Sequence, residues 1–224
     1  MERPAVPGYT NPMEQTGIVT DSEALLPILR ERGARGRSLT AVAGPPGAGK
    51  STLAEALADR LNGADPGSAA VLPMDGYHYD DTVLNARGWR PRKGAPHTFD
   101  VAGFAHMLAR MRANAEPEIA VPVFDRSIEI ARAGARLIPQ SVRHVICEGN
   151  YLLLDAAPWD ALAPLFDTTV FLDVPMPELE RRLTERWQAL APDDFLAKMH
   201  SNDLPNARRV VESSRAAEFV VRNM

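Results

Sequence analysis

The segment 44–51, with the sequence GPPGAGKS, has the residue types and spacing of a loop that binds phosphate groups. It matches the pattern G-x-x-x-x-G-K-[ST], in which glycines let the backbone curl around an anion and point its N–H groups inward. The two prolines have no N–H, so the donors must come from Gly47 onward and from the N-terminus of the following helix. Lys50 is expected to reach the β- and γ-phosphates of a nucleoside triphosphate, and the Ser51 hydroxyl to bind Mg²⁺. The predicted nucleotide-binding residues are Gly44, Pro45, Pro46, Gly47, Ala48, Gly49, Lys50, Ser51 and Thr52.

Two carboxylates follow or end apolar segments that read as buried strands. Asp75 ends the segment 68–75, and Glu148 lies near the end of the segment 144–149. Ligands of α/β proteins bind beside the carboxyl ends of strands. Asp75 is therefore predicted to accept the proton of an acceptor hydroxyl, with an ordinary Asp-Gly turn as the structural alternative. Glu148 is predicted to hold Mg²⁺ or its water, because a buried glutamate without a partner would be costly.

Two arginines lie four residues apart in the predicted helix 177–190. Arg182 and Arg186 share one helical face and could close over phosphates as a lid of about residues 176–200. Either guanidinium could balance charge on a transferred phosphoryl group. The alternative is a surface helix with the exposed pairs Glu178–Arg182 and Arg181–Glu185, each of which would contribute little.

The elements that must position these residues alternate along the chain. Strands are predicted at 38–43, 68–75, 144–149, 168–175 and 216–221, and helices at 21–33, from the phosphate loop to 62–63, at 101–114 and at 177–190. Such alternation predicts an α/β P-loop NTPase fold, with a mostly parallel sheet covered by helices on both faces. The segments IAVPVFDRS and ARAGARLIP predict a short hairpin. We expect a flexible lead-in over 1–17 and one domain over 18–224, with an acceptor-side insertion at about 76–140.

Composition limits the classes of protein that this chain could represent. Its 224 residues carry a formal net charge of −4, so neither tight sequence-independent nucleic-acid binding nor binding to an acidic membrane is expected. No apolar run approaches the ~20 residues needed to cross a bilayer, and the N-terminus lacks the apolar core of a signal peptide. The single cysteine, Cys147, excludes an internal disulfide and fits a reducing compartment. A cytoplasmic protein is expected.

Six segments in this order resemble the phosphoribulokinase, uridine kinase and bacterial pantothenate kinase family of P-loop kinases: GPPGAGKST, MDGYHYDD, RGWRPRKGAPHTFD, VPVFDRS, CEGNYLLL and FLDVP with RRLTER. The pattern looks most like the pantothenate kinase branch and proteins labelled fructose transport-system kinases. This resemblance implies transfer of the ATP γ-phosphoryl group to a small-molecule alcohol, with Mg²⁺. It assigns the base to Asp75, the metal side to Glu148 and the lid cations to Arg182 and Arg186. It further implies acceptor contacts at Tyr77, His78, Lys93, His97 and Arg126, an adenine contact at Asn206 and a possible homodimer.

The acceptor and one alternative function stay open at this point. The chain is shorter than a typical bacterial pantothenate kinase, and its segment 124–127, FDRS, differs from that of uridine kinases, so a sugar is slightly favoured over a nucleoside or pantothenate. The basic segment 82–99 is either a solvated loop or a pocket wall suited to a polar or anionic molecule. No Asn-Lys-x-Asp motif of a GTPase is present. The alternative function is a nucleotide-binding regulator or an ATPase without a metabolite acceptor.

Overall fold

A six-stranded parallel sheet is the centre of the computed structural model, which describes residues 15–222. Residues 1–14 of the predicted lead-in lie outside this range. The strands of the sheet are β1 (Ile18–Thr20), β2 (Ser38–Ala43), β3 (Ala69–Pro73), β6 (His144–Gly149), β7 (Thr168–Asp173) and β8 (Phe219–Arg222). Their order across the sheet is β1-β8-β7-β2-β6-β3, and every neighbouring pair is parallel. The predicted α/β fold with a mostly parallel sheet is confirmed.

Helices connect the strands and cover both faces of the sheet. They are α1 (Ser22–Ala34), α2 (Lys50–Ala64), α3 (Asp81–Ala86), α4 (Val101–Ala113), α5 (Met176–Trp187), α6 (Pro192–Lys198) and α7 (Leu204–Ser213). Short 3-10 turns occur at Met74–Tyr77, Arg90–Arg92, Pro96–Thr98 and Trp159–Leu165, and a π-helical turn occurs at Met199–Asp203. None of the helices within residues 15–222 has both the length and the apolar character that a membrane span requires.

The central strands are buried on both faces because alternate side chains enter two different cores. In β6, Val145 and Cys147 pack in the core that contains Phe104 of α4, whereas Ile146 packs in the core that contains Leu57 of α2. Every residue of β2 and β6 is buried, which explains why these strands are continuous apolar runs in the sequence. Burial also raises the pKa of the Cys147 thiol. This cysteine is therefore part of the core packing.

The glycine predicted to end the first helix has a different role. Helix α1 continues through Gly33 to Ala34, and its N-cap Asp21 accepts a hydrogen bond from the Ala24 N–H as expected. A Cβ atom at Gly33 would lie only 2.0 Å from Cε1 of the buried His144. Glycine is therefore needed here for the close approach of α1 to β6, and not as a helix stop.

The connection from β3 to β6 contains the predicted hairpin. Strands β4 (Glu118–Asp125) and β5 (Ile130–Pro139) pair in antiparallel fashion as a separate two-stranded sheet. Edge strand β1, three partly exposed residues beside β8, has no counterpart among the predicted strands. A strand this short shows no recognisable alternation of polar and apolar residues.

Candidate functional site

The phosphate-type loop connects β2 to α2 at the carboxyl edge of the sheet. Gly47 and Gly49 have φ values of +84° and +94°, a left-handed conformation that favours glycine. Gly49 is the N-cap of α2, and no side chain caps the helix, so its first N–H groups are available to an anion. The buried Lys50 donates from Nζ to the Pro45 carbonyl at 2.9 Å. These features fit the triphosphate cradle that the sequence predicts.

Glu148 lies beside this loop, paired in register between Val42 of β2 and Pro73 of β3. Its side chain is buried and hydrogen-bonds Ser51. Burial raises the pKa of Glu148 to about 7, and burial lowers the pKa of Lys50 to about 8. A hydroxyl and a carboxylate in contact are the oxygen donors that Mg²⁺ takes from proteins when phosphates supply other ligands. In the part of the chain that the structure describes, no cluster of three or more His, Cys, Asp or Glu side chains forms a metal site by itself.

Asp75 enters the same cleft from the 3-10 turn that follows β3. Gly76 makes this turn possible, because a Cβ atom there would lie 2.5 Å from the Pro122 carbonyl oxygen of β4. The Asp75 carboxylate is one quarter exposed and forms an ion pair with Arg126 at 3.0 Å. The turn therefore does more than reverse the chain, since it presents a carboxylate to the cavity beside the phosphate loop.

The cleft has a volume of about 880 Å³ and gathers most of the predicted site residues. Of the predicted nucleotide contacts, those that line it are Pro46, Gly47, Gly49, Lys50, Ser51 and Thr52. Gly44, Pro45 and Ala48 do not border it, and the Ala48 N–H donates to the Pro45 carbonyl at 3.1 Å within the turn. The remaining predicted residues on its walls are Asp75, His78, Lys93, Arg126, Glu148, Arg182, Arg186 and Asn206.

Two predicted acceptor contacts lie outside the cleft. The Tyr77 ring packs on Phe104 at 4.8 Å between centroids, and its buried hydroxyl has no hydrogen-bond partner within residues 15–222. His97 is exposed on a short 3-10 turn, with its ring edge-on to Trp89 at 5.1 Å. The structure therefore places neither side chain where the expected acceptor contact would require it.

The acceptor side of the cleft is built around an aromatic pair. The His78 ring lies 4.0 Å from the Phe99 centroid and 4.7 Å from that of Phe124, and its Nδ1 is 2.8 Å from the Asp75 carbonyl oxygen. Burial lowers the pKa of His78, which favours the neutral ring. A neutral imidazole fixed beside the Asp75 turn can donate a hydrogen bond to a polar ligand or accept one from it, depending on its tautomer.

Two cations of the basic segment share the carboxylate that precedes it, Asp81. Arg90 and Lys93 both bind the Asp81 carboxylate, at 2.7 and 2.6 Å. The Arg87 guanidinium stacks 4.7 Å from the Trp89 ring centroid. The segment therefore forms part of the cleft wall at Arg90 and Lys93, whereas Arg87 and Arg92 are exposed to solvent.

The two arginines of α5 occupy different places. Arg182 donates to Glu178 at 2.6 Å and also borders a second cavity of about 480 Å³, next to Thr52 and Val221. Arg186 borders the main cleft only, with its guanidinium 4.8 Å from the Trp187 ring centroid. The predicted surface pairs form, yet both guanidiniums remain beside the cleft.

Asn206 is held on the acceptor side of the cleft. Its Nδ2 donates to Asn202 Oδ1 at 3.0 Å, and Asn202 Nδ2 donates to the Lys93 carbonyl at 2.8 Å. This chain of hydrogen bonds connects α7 to the acceptor-side segment, whereas the second cavity beside Arg182 lies elsewhere. The adenine contact at Asn206 stays a prediction, and the structure places this residue at the wall of the main cleft.

Three further residues of the cleft escaped the sequence reasoning. Asn150 directly follows β6, and its place at the end of a buried strand was a usable signal. Glu129 ends the turn between β4 and β5, and Asp203 accepts a 2.8 Å hydrogen bond from Trp187 Nε1. No local pattern marks these two, because the first depends on the fold of the hairpin and the second on a π-helical turn.

Comparison with known proteins gives relatives along most of the chain. No protein-family model matches it. It is 36% identical over 192 residues to the uncharacterized protein YggC of Escherichia coli, covering 83% of this chain and 77% of YggC. It is 29% identical over 199 residues to a protein named "putative uridine kinase C227.14" in Schizosaccharomyces pombe, covering 84% of each. With a pantothenate kinase of Enterococcus faecalis it shares 29% identity over 157 residues and spans about half of that enzyme, 51%.

A solved structure gives a close three-dimensional match. The crystal structure of a "putative fructose transport system kinase" from Silicibacter sp. TM1040 superposes with a TM-score of 0.82 and 40% identity, over 90% of this chain and 98% of that one. The phosphate loop, the strand-end carboxylates and the arginine helix agree with these relationships. The chain belongs to the phosphoribulokinase, uridine kinase and bacterial pantothenate kinase family of P-loop kinases.

Proposed function

We propose that this protein transfers the γ-phosphoryl group of ATP to an alcohol hydroxyl of a small metabolite. The observation that carries the proposal is that Asp75 shares one cleft with the phosphate loop and Glu148. A protein that only binds ATP needs no carboxylate in a pocket beside the phosphates. We assign this wall to about residues 76–140 and the lid to about 176–200.

The end of the cleft at the phosphate loop would bind the negatively charged triphosphate and its Mg²⁺. Backbone N–H groups of the loop and the ammonium of Lys50 would bind the triphosphate. Ser51 and Glu148 would hold Mg²⁺, which supplies neutralisation of phosphate charge when it is bound. Glu148 would then be ionised, although burial favours its neutral form in the free protein. Arg182, between the two cavities, is suited to flank the nucleoside end of ATP.

The acceptor end supplies the base. Asp75 would accept the proton of the acceptor hydroxyl. The hydroxyl oxygen then forms the new bond to the γ-phosphorus, and the bond between that phosphorus and the oxygen that leaves with ADP breaks. Arg186 would balance charge on the migrating phosphoryl group, since it borders the main cleft and not the second cavity. The ion pair with Arg126, at 3.0 Å, holds the Asp75 carboxylate at this wall of the cleft.

We favour a sugar or similar alcohol as the acceptor. The relative with a solved structure at 40% identity carries a fructose-related name. The internal pairing of Arg90 and Lys93 also weakens the expectation of an anionic acceptor.

Measurement of ADP release with a panel of sugars, nucleosides and pantothenate tests the proposal. We expect release that depends on one acceptor, together with its phosphorylated product. Asp75→Asn should lower kcat by about 10²–10⁴-fold with ATP affinity nearly unchanged, because a positioned base contributes that much. Glu118→Gln, at an exposed position of β4, is the control and should keep activity. Acceptor-independent hydrolysis alone would identify an ATPase or a regulator, and near-native turnover of Asp75→Asn would remove Asp75 as the base.

A further inference from the structure

Glu129 has a backbone conformation that its side chain disfavours. It is the last residue of the turn 126–129 that joins β4 to β5, and its φ is +56°. The closing residue of such hairpin turns adopts this left-handed conformation most cheaply as glycine or asparagine. Non-glycine residues held in this way cluster at ligand-binding sites. Glu129 borders the cleft as an exposed residue, so the strain has a candidate purpose.

A buried lysine holds this conformation in place. Lys93 is only 8% exposed, and its Nζ donates to the Glu129 carbonyl and to Asp81 Oδ1, each at 2.6 Å. The same ammonium lies 5.4 Å from the Phe124 ring centroid. With these partners, Lys93 is committed to the hairpin and is poorly placed to bind an acceptor. It acts as a positioning residue for Glu129.

Among the charged side chains of residues 76–140 that line the cleft, Glu129 is the one without an ion pair within the part of the chain that the structure describes. The cations there have carboxylate partners, since Arg90 and Lys93 share Asp81 and Arg126 pairs with Asp75. Glu129 has neither an ion pair nor a side-chain hydrogen bond within residues 15–222. Desolvation in the cleft lowers the pKa of His78 and of Arg186, and the charge of Glu129 opposes that shift in both. Asp75 opposes the shift at both groups more strongly, so the exposed Glu129 is one of two carboxylates whose charge reaches His78 and Arg186.

We propose that Glu129 selects a neutral polyol as the acceptor, meaning a molecule with at least two hydroxyl groups and no negative charge. The inference rests on the proposed kinase function. A carboxylate accepts hydrogen bonds from two neighbouring hydroxyls without competing for the reacting one. The same charge repels an acceptor that carries a carboxylate or a phosphate. Neutral sugars and the ribose of nucleosides fit this description, and hydroxy acids do not.

The first test compares acceptor classes with the full-length wild-type protein. Neutral hexoses, pentoses and ribonucleosides form one panel, and glycerate and pantothenate form the other, with ADP release and product formation as the readout. We expect a higher kcat/KM for a neutral polyol than for either acid. If only an acid is phosphorylated, this inference fails while the proposed kinase function stands. If ATP is turned over without any acceptor, both fail.

The second test changes Glu129 itself. Glu129→Gln should raise KM for the neutral acceptor about 10-fold or more, because a hydrogen bond to a charged group is lost, and should change kcat much less. Glu129→Lys should lower the preference for neutral over acidic acceptors. Glu129→Gly should raise KM likewise, yet its melting temperature should equal or exceed that of the wild type, because glycine relieves the strained φ. Glu118→Gln, an exposed carboxylate on β4, is the matched control and should change nothing.

A third variant separates positioning from binding. Lys93→Met should raise KM for the acceptor in the same direction as Glu129→Gln, and Lys93→Arg should restore part of the affinity. In the double variant Lys93→Met/Glu129→Gly, removal of Lys93 should add little, because the side chain that Lys93 positions through the backbone carbonyl is gone. Unchanged acceptor KM in both Glu129→Gln and Glu129→Gly, with both proteins folded, would overturn the inference.

Discussion

Lys50 and Glu148 bring opposite charges into a part of the cleft with little solvent. Each is under 10% exposed, and burial disfavours the charged form of both, although each attracts the other. A buried ion pair is weak evidence for stability. The two groups therefore fit a site that binds phosphate and a cation. Their burial lowers the stability of the free protein.

A pH-dependent stability difference follows from Glu148. Its pKa in the folded protein is raised from 4.5 to about 7. The folded state thus binds this proton more tightly, so the contribution of Glu148 to stability is present below pH 4.5 and is lost as the pH rises towards 7. Glu148→Gln, which carries no charge, should stabilise the free protein at pH 8 by on the order of 1–3 kcal/mol, with a margin that shrinks towards zero near pH 4.5.

Urea unfolding of wild type and Glu148→Gln at both pH values would measure this margin. Glu118→Gln is the control, because that exposed carboxylate should give the same small difference throughout. A margin that grows as the pH falls would contradict the assignment.

The two arginines of the α5 helix offer a second residue-scale prediction. Arg186→Met should lower kcat by about 10²–10³-fold, the usual cost of losing one transition-state charge partner. Arg182→Met should mainly raise KM for ATP, because Arg182 lies between the two cavities. Arg181→Met is the control on the same helix, since Arg181 pairs with Glu178 and Glu185 at the surface. Steady-state kinetics with the acceptor found by the panel would distinguish the three, and equal kcat losses for Arg182 and Arg186 would contradict the division.

At the scale of elements, close packing of helices on the sheet decides where glycine is required. Gly33 in α1 faces the His144 ring, whereas Gly63 in α2 faces open space. Both residues are helical, so helix propensity acts equally on them. Their sequence context, a glycine near the end of an apolar stripe, is nearly the same, which is why the sequence predicted a helix stop at each.

A pair of glycine substitutions tests this difference. Gly33→Ala should destabilise the protein by about 1–3 kcal/mol, because the added methyl group overpacks a tight contact. Gly63→Ala should be neutral or stabilise by up to about 1 kcal/mol, the usual gain of alanine over glycine in a helix. Thermal unfolding of both variants gives the comparison. Equal effects would show that α1 can shift away from β6 without cost.

At the scale of the whole molecule, the donor end of the cleft was more predictable than the acceptor end. The phosphate loop is one contiguous pattern, and Glu148 and Asp75 end apolar strands, so topology alone places them together. The acceptor end is assembled from the 3-10 turn after β3, the segment near Lys93, the hairpin and the π-helical turn. Tyr77 and His78 are neighbours that face opposite ways, one to the core and one to the cleft. Periodicity cannot resolve a four-residue turn, and it cannot show that Arg90 and Lys93 share the Asp81 carboxylate.

The hairpin belongs to a separate two-stranded sheet, and this arrangement has a consequence for how the enzyme can diversify. The machinery for the phosphates comes from the main sheet and its connections, while the turn 126–129 stands outside that sheet. Gly76 against Pro122 anchors the base of the hairpin to the Asp75 turn and leaves the tip independent of that contact. Replacement of four residues at the tip can therefore redirect the choice of metabolite during evolution, while the chemistry of phosphoryl transfer is inherited unchanged.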